Sequence, residues 1–98
     1  MIEDEEINAV IETLKSGWLS TGPKVHEFEK SMSEYLNMPH CIAVNSGTAA
    51  LHLALKAIGL KEHDEVIIPT NTFTATGEVI TYFNAKPVLI DCGKENFN

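Results

Sequence analysis

The sequence contains no arginine. Its seven basic side chains are all lysines, at 15, 24, 30, 56, 61, 86 and 94. It therefore has no planar guanidinium fork with which to clamp a carboxylate or phosphate. No apolar run is long enough to cross a bilayer, so no membrane association is expected. The start, Met1-Ile2-Glu3-Asp4-Glu5-Glu6, is acidic and unlike a secretion signal, which points to a cytoplasmic protein. A net charge of −7 speaks against nucleic acid and anionic lipid as partners. There are only two cysteines, Cys41 and Cys92, each in an apolar strand-like run. They read as buried free thiols rather than a disulfide. Repeats, linkers and low-complexity tracts are absent, and the 98 residues read as one domain.

Two phosphate signatures are missing as well. The chain has no GxGxxG and no GxxxxGK[ST]. Ser46 is not in a GxSxG elbow, because Val44 and Thr48 occupy the glycine positions, so a nucleophilic serine is not expected. What remains is Ser46-Gly47-Thr48, placed where the apolar run Cys41-Ile42-Ala43-Val44 ends and a helical pattern begins. The first amides of a helix have no internal partner, and the dipole there is positive. Glycine lets a ligand approach the backbone, and two hydroxyls can add hydrogen bonds. A phosphate group suits such a turn. The plainer reading is ordinary N-capping.

The rest of the chain alternates. Ile7, Val10, Ile11 and Leu14 repeat at helical spacing, and Ser16-Gly17 ends that helix. Trp18 to Pro23 is a loop; Val25, Phe28, Met32, Tyr35 and Leu36 form a second stripe, stopped at Asn37-Met38-Pro39. A strand at about 41–45 is expected, then a helix at about 48–58 with Gly59 as its cap. Strands follow at Glu65–Pro69 and Pro87–Asp91, separated by a helix carrying Phe73, Thr76, Val79, Ile80 and Phe83. This order predicts an α/β architecture with a parallel sheet. The tail Glu95-Asn96-Phe97-Asn98 leaves the last strand with no capping element. Too few strands and helices are present to cover the sheet, so the chain reads as the N-terminal piece of a longer protein.

Several segments then fall into one order: Gly17-Trp18-Leu19-Ser20-Thr21-Gly22-Pro23, Val44-Asn45-Ser46-Gly47-Thr48-Ala49-Ala50-Leu51, Asp64-Glu65-Val66-Ile67-Ile68-Pro69, Thr72-Phe73-Thr74-Ala75-Thr76 and Ala85-Lys86-Pro87-Val88-Leu89-Ile90-Asp91. This resembles the N-terminal part of the DegT/StrS family of sugar aminotransferases over nearly all 98 residues. The resemblance implies the large domain of the fold-type-I transferases, a three-layer α/β/α unit with a mostly parallel sheet, and pyridoxal 5'-phosphate (PLP) as cofactor. Gly47, Thr48 and Ala49 match the turn that holds the cofactor phosphate, and Phe73 matches the aromatic stacked on the pyridine ring. Read without the family, Phe73 is an ordinary core residue of its helix. Trp18, Ser20, Thr21 and Gly22 fall in a segment near the family's active-site mouth and are the candidate substrate contacts.

No catalytic residue is assigned. The Schiff-base lysine and the carboxylate facing the ring nitrogen lie beyond residue 98 in the family, so the fragment alone is expected to be inactive. Three of the four histidines, His26, His40 and His52, have no metal-site spacing. One departure from the family pattern is His63, which stands where glycine commonly precedes the Asp-Glu-Val strand. The resemblance implies transfer of an amino group, from glutamate, to a keto group of a nucleotide-linked sugar, by a homodimer. Such chemistry serves polysaccharide or amino-sugar synthesis. Two other readings stand beside it: a PLP-dependent sugar dehydratase with histidine in place of the lysine, and a non-catalytic phosphate-binding module.

Overall fold

A computed structural model describes residues 2–95; Met1 and the tail residues Asn96 to Asn98 fall outside them. The chain divides into two compact units, Met1–Ala43 and Val44–Asn98.

The first unit is helical. Helix α1, Asp4–Ser16, opens with a capping box: Glu3 and Glu6 each receive the other's backbone N–H, that of Glu3 reaching Glu6 Oε2 at 2.7 Å. Asp4, Glu5 and Glu6 then face the positive end of the dipole. Gly17 ends the helix at φ 75°, a left-handed conformation that glycine takes without a Cβ penalty. Helix α2, Pro23–Tyr35, starts with proline in its first turn, where a missing N–H costs nothing. It stops at Asn37, which takes φ 51°. The Glu29 carboxylate then accepts the Ala43 N–H at 2.9 Å, tying the chain beyond Pro39 to α2.

The segment at 41–45 is not a strand. No ladder partner for it exists among the described residues, and an apolar run becomes a strand only when a neighbour takes its backbone bonds.

The second unit is α/β. Helix α3, Gly47–Ala57, ends at Ile58 in a left-handed turn at Gly59 (φ 79°). The Leu60 N–H reaches Leu55 C=O and the Gly59 N–H reaches Lys56 C=O, both at 3.1 Å. This double closure satisfies carbonyls that the helix leaves open. Strand β1, Glu65–Pro69, and strand β2, Lys86–Ile90, pair in parallel, with Glu65 opposite Lys86 and Pro69 opposite Ile90. Helix α4, Ala75–Thr81, is the crossover that parallel pairing requires. Its Ala75, Val79 and Ile80 are buried, and Ile80 meets Ile68 and Ala85 in the core; Leu55, Leu60, Val66 and Phe83 pack around that cluster. The His52 ring sits edge-on to Tyr82 and Phe83, with centroids 5.3 and 5.2 Å away, which ties α3 to the end of α4.

The turn before β1 is left-handed despite its histidine. His63 takes φ 70°, the conformation that favours glycine, and its N–H bonds Asn84 C=O at 3.2 Å. Cys41 and Cys92 are free and half-buried.

Candidate functional site

Ser46 caps α3 in an extended conformation, and its Oγ accepts the Ala49 N–H at 3.1 Å. The helical ladder begins one residue later, with Ala50 N–H to Ser46 C=O at 3.1 Å. The amides of Gly47 and Thr48 precede that ladder and, among the described residues, remain as donors at the positive end of an 11-residue helix. The cap thus divides the turn: Ala49 spends its amide inside the protein, and Gly47 and Thr48 keep theirs.

These two residues line an open groove of about 630 Å³ with Ala50, Leu51, Ala54, Phe73, Ala75 and Thr76. Among the described residues no charged side chain lines it, so the attraction for an anion comes from amides, hydroxyls and the helix dipole. A Cβ built on Gly47 meets nothing within 4 Å. Packing within the chain therefore gives no reason for glycine there. The space where that Cβ would stand is open.

Phe73 lies in the turn before α4, not on the helix, and is 78% exposed. Within this chain Phe73 is therefore neither on α4 nor in the core. The helical period at Val79, Ile80 and Phe83 extends back to Thr76 but not to Phe73, because α4 starts at Ala75. The burial that anchors α4 instead begins at Ala75, a core residue that the apolar stripe did not single out.

The loop residues lie in the other unit. Trp18, Ser20 and Gly22 line a cavity of about 360 Å³ with Glu12, Thr13, Ser16, Leu19, Pro23, Lys24 and Val25; Thr21 is not in its wall. Gly22 has a packing reason of its own. A Cβ there would stand 3.0 Å from Trp18 Cβ and 3.2 Å from Ser20 C=O. Ser16 Oγ accepts the Trp18 N–H at 3.2 Å and fixes the start of the loop. Neither cavity includes Tyr82, whose phenol is held above the ordinary tyrosine range by its bond to Glu78, by desolvation and by the Glu78 charge.

A profile of the DegT/DnrJ/EryC1/StrS aminotransferase family matches residues 1–98. The chain belongs to that family. It is 49% identical over 98 residues to the spore coat polysaccharide biosynthesis protein SpsC of Bacillus subtilis, covering all of this chain and 25% of SpsC. It is 40% identical over 95 residues to the UDP-4-amino-4-deoxy-L-arabinose–oxoglutarate aminotransferase of Shewanella sediminis, covering 97% of this chain and 24% of that enzyme. Among solved structures it superimposes on Spr1654 of Streptococcus pneumoniae, described as a sugar aminotransferase, with a TM-score of 0.91 at 43% identity. That match covers 99% of this chain and 24% of Spr1654, which was solved in PMP, PLP and apo forms. The α/β expectation, the N-terminal part of the fold-type-I large domain, holds. The chain spans about a quarter of the length of these relatives.

Proposed function

We propose that the intact protein is a PLP-dependent aminotransferase. It would move an amino group from an amino acid, glutamate, to a keto group of a nucleotide-linked sugar, working in the cytoplasm as a homodimer with its active sites at the interface. The supporting observation is that free amides at Gly47 and Thr48 share one groove with the exposed ring of Phe73. A phosphate at the α3 start and a flat ring beside Phe73 use both halves of that groove. When bound, PLP supplies the electron sink that lets the amino group leave one carbon and join another. This chain's own part is binding and orientation. Gly47 and Thr48 N–H groups, with the Thr48 hydroxyl, hold the phosphate as neutral donors aided by the helix dipole. Phe73 fixes the plane of the ring, and stacking of this kind contributes about 0.5–1.5 kcal/mol beyond area burial. Trp18, Ser20, Thr21 and Gly22 form the loop that meets the sugar substrate.

Thr48→Val in the full-length protein tests this reading. The shape is kept and the hydroxyl lost. A hydrogen bond to a charged group is worth about 1.5–3 kcal/mol, so PLP affinity falls by about 10- to 150-fold. Cofactor titration by absorbance reads it. Unchanged affinity removes Thr48 from the site, and no cofactor absorbance in the wild type removes the reading.

A further inference from the structure

Phe73 has a positioning problem. It is 78% exposed, so no packing within its unit holds its ring in one place. Exposed side chains change rotamer on the picosecond-to-nanosecond scale, and what the backbone beneath them sets is the point and direction from which the ring projects. Two threonines flank it. Thr72 Oγ1 and Thr76 Oγ1 meet at 3.0 Å across the Phe73 turn. The backbone closes the same turn, with Thr76 N–H donating to Phe73 C=O at 3.0 Å.

The hydroxyl pair is not an ordinary helix cap. A capping hydroxyl accepts from a backbone N–H in the first turn. The N-cap residue of α4 is Thr74, and its side chain makes no capping bond. Thr72 meets a side chain instead, and that side chain lines the groove shared by Gly47, Thr48 and Phe73. The bond therefore spans the residue that the groove needs held, and one of its ends stands in the groove wall.

We propose that Thr72 and Thr76 are positioning residues: their hydroxyl bond fixes the turn that presents Phe73 to the cofactor ring. This rests on the proposed PLP site and adds the device that orients its aromatic wall. Either hydroxyl can donate to the other, and the role proposed for the pair is to brace the turn at both of its ends.

A double-mutant cycle on the full-length protein tests it, read by PLP titration and by melting temperature. Thr72→Val weakens PLP binding by about three- to tenfold, the worth of one neutral hydrogen bond. Thr72→Ser restores it, because serine keeps the hydroxyl. Thr72 is exposed, so Thr72→Val leaves the melting temperature within about 2 °C of wild type. In a Phe73→Ala background Thr72→Val has no further effect on affinity, since the turn then has no ring to hold. An equal loss in both backgrounds overturns the proposal, as does a Thr72→Val variant that binds PLP like wild type. Wild-type protein that binds no PLP overturns the underlying site instead, so the two failures are distinct.

Discussion

Helix α1 has 13 residues and buries none of them; helix α4 has seven and buries three. Both are amphipathic. The stripe Ile7, Val10, Ile11 and Leu14 on α1 is as apolar as Ala75, Val79 and Ile80 on α4. The difference lies in what each stripe meets. Helix α4 lies on β1 and β2, and a crossover helix must cover the sheet it connects. In the first unit no sheet is present among the described residues, and Val10 and Leu14 stay 60% and 58% exposed. Periodicity makes a helix face; burial needs a second surface.

The largest expected effect follows from that contrast. The chain exposes 8328 Å². Two separate compact bodies of half its mass would together expose about 6,700 Å². The excess is apolar to a large degree, with Ile2, Ile42, Ile58, Ile67, Phe73 and Leu89 each more than 60% exposed. Residues 1–98 expressed alone are expected to give no cooperative melting transition and to self-associate through the open edges of the two-stranded sheet. Circular dichroism melts and sedimentation check this. A monomer with one sharp transition would break the comparison, because both units would then be stable with their stripes in water.

Two glycines sharpen it. Gly22 in the first unit has no room for a Cβ, whereas Gly47 in the second has open space around it. In the intact protein Gly22→Ala crowds Trp18 and Ser20 C=O, costs about 1–3 kcal/mol, and lowers the melting temperature. Gly47→Ala does the opposite. Alanine is the better helix former, so the melting temperature holds or rises. Its Cβ enters the groove, and a clash of about 1–3 kcal/mol weakens PLP binding by about five- to 150-fold. Melting curves and cofactor titration on the two variants separate a glycine kept for packing from one kept for a ligand. If Gly47→Ala binds PLP normally, the space beside it is not the phosphate site.

Much of this was legible in the sequence. The stops at Gly17, Asn37 and Gly59 are local turn chemistry, and so are the cap at Ser46 and the alternation that yields a parallel pair. Such features depend on a few neighbouring residues, and the sequence shows those directly. The strand at 41–45 was misread because a strand depends on a partner that its own residues do not specify. Phe73 was ambiguous for a related reason. Periodicity gives an angle around a helix but not where the helix begins, and α4 begins two residues after it. The division of the phosphate turn, with Ala49 capped and Gly47 and Thr48 open, needed the position of one hydroxyl. The packing role of Gly22 needed the path of the loop back over Trp18.

The smallest effect belongs to the turn that leads into β1. His63 takes φ 70° with its side chain 88% exposed, so the ring has little packing to lose. A non-glycine residue in that conformation costs about 1–2 kcal/mol. Glycine removes the strain but adds about 0.5–1 kcal/mol of unfolded-state freedom. His63→Gly in the intact protein is therefore expected to stabilise by about 0–1.5 kcal/mol, with a central value of about 0.75 kcal/mol. His63→Ala keeps the strain and should gain nothing, which separates backbone relief from loss of the imidazole and its 3.8 Å contact with Glu62. Denaturant unfolding of the two variants beside wild type reads the difference. Equal stability of the glycine and alanine variants would mean that the turn relaxes without strain, and that histidine here is as well suited to the left-handed bend as the glycine common in the family.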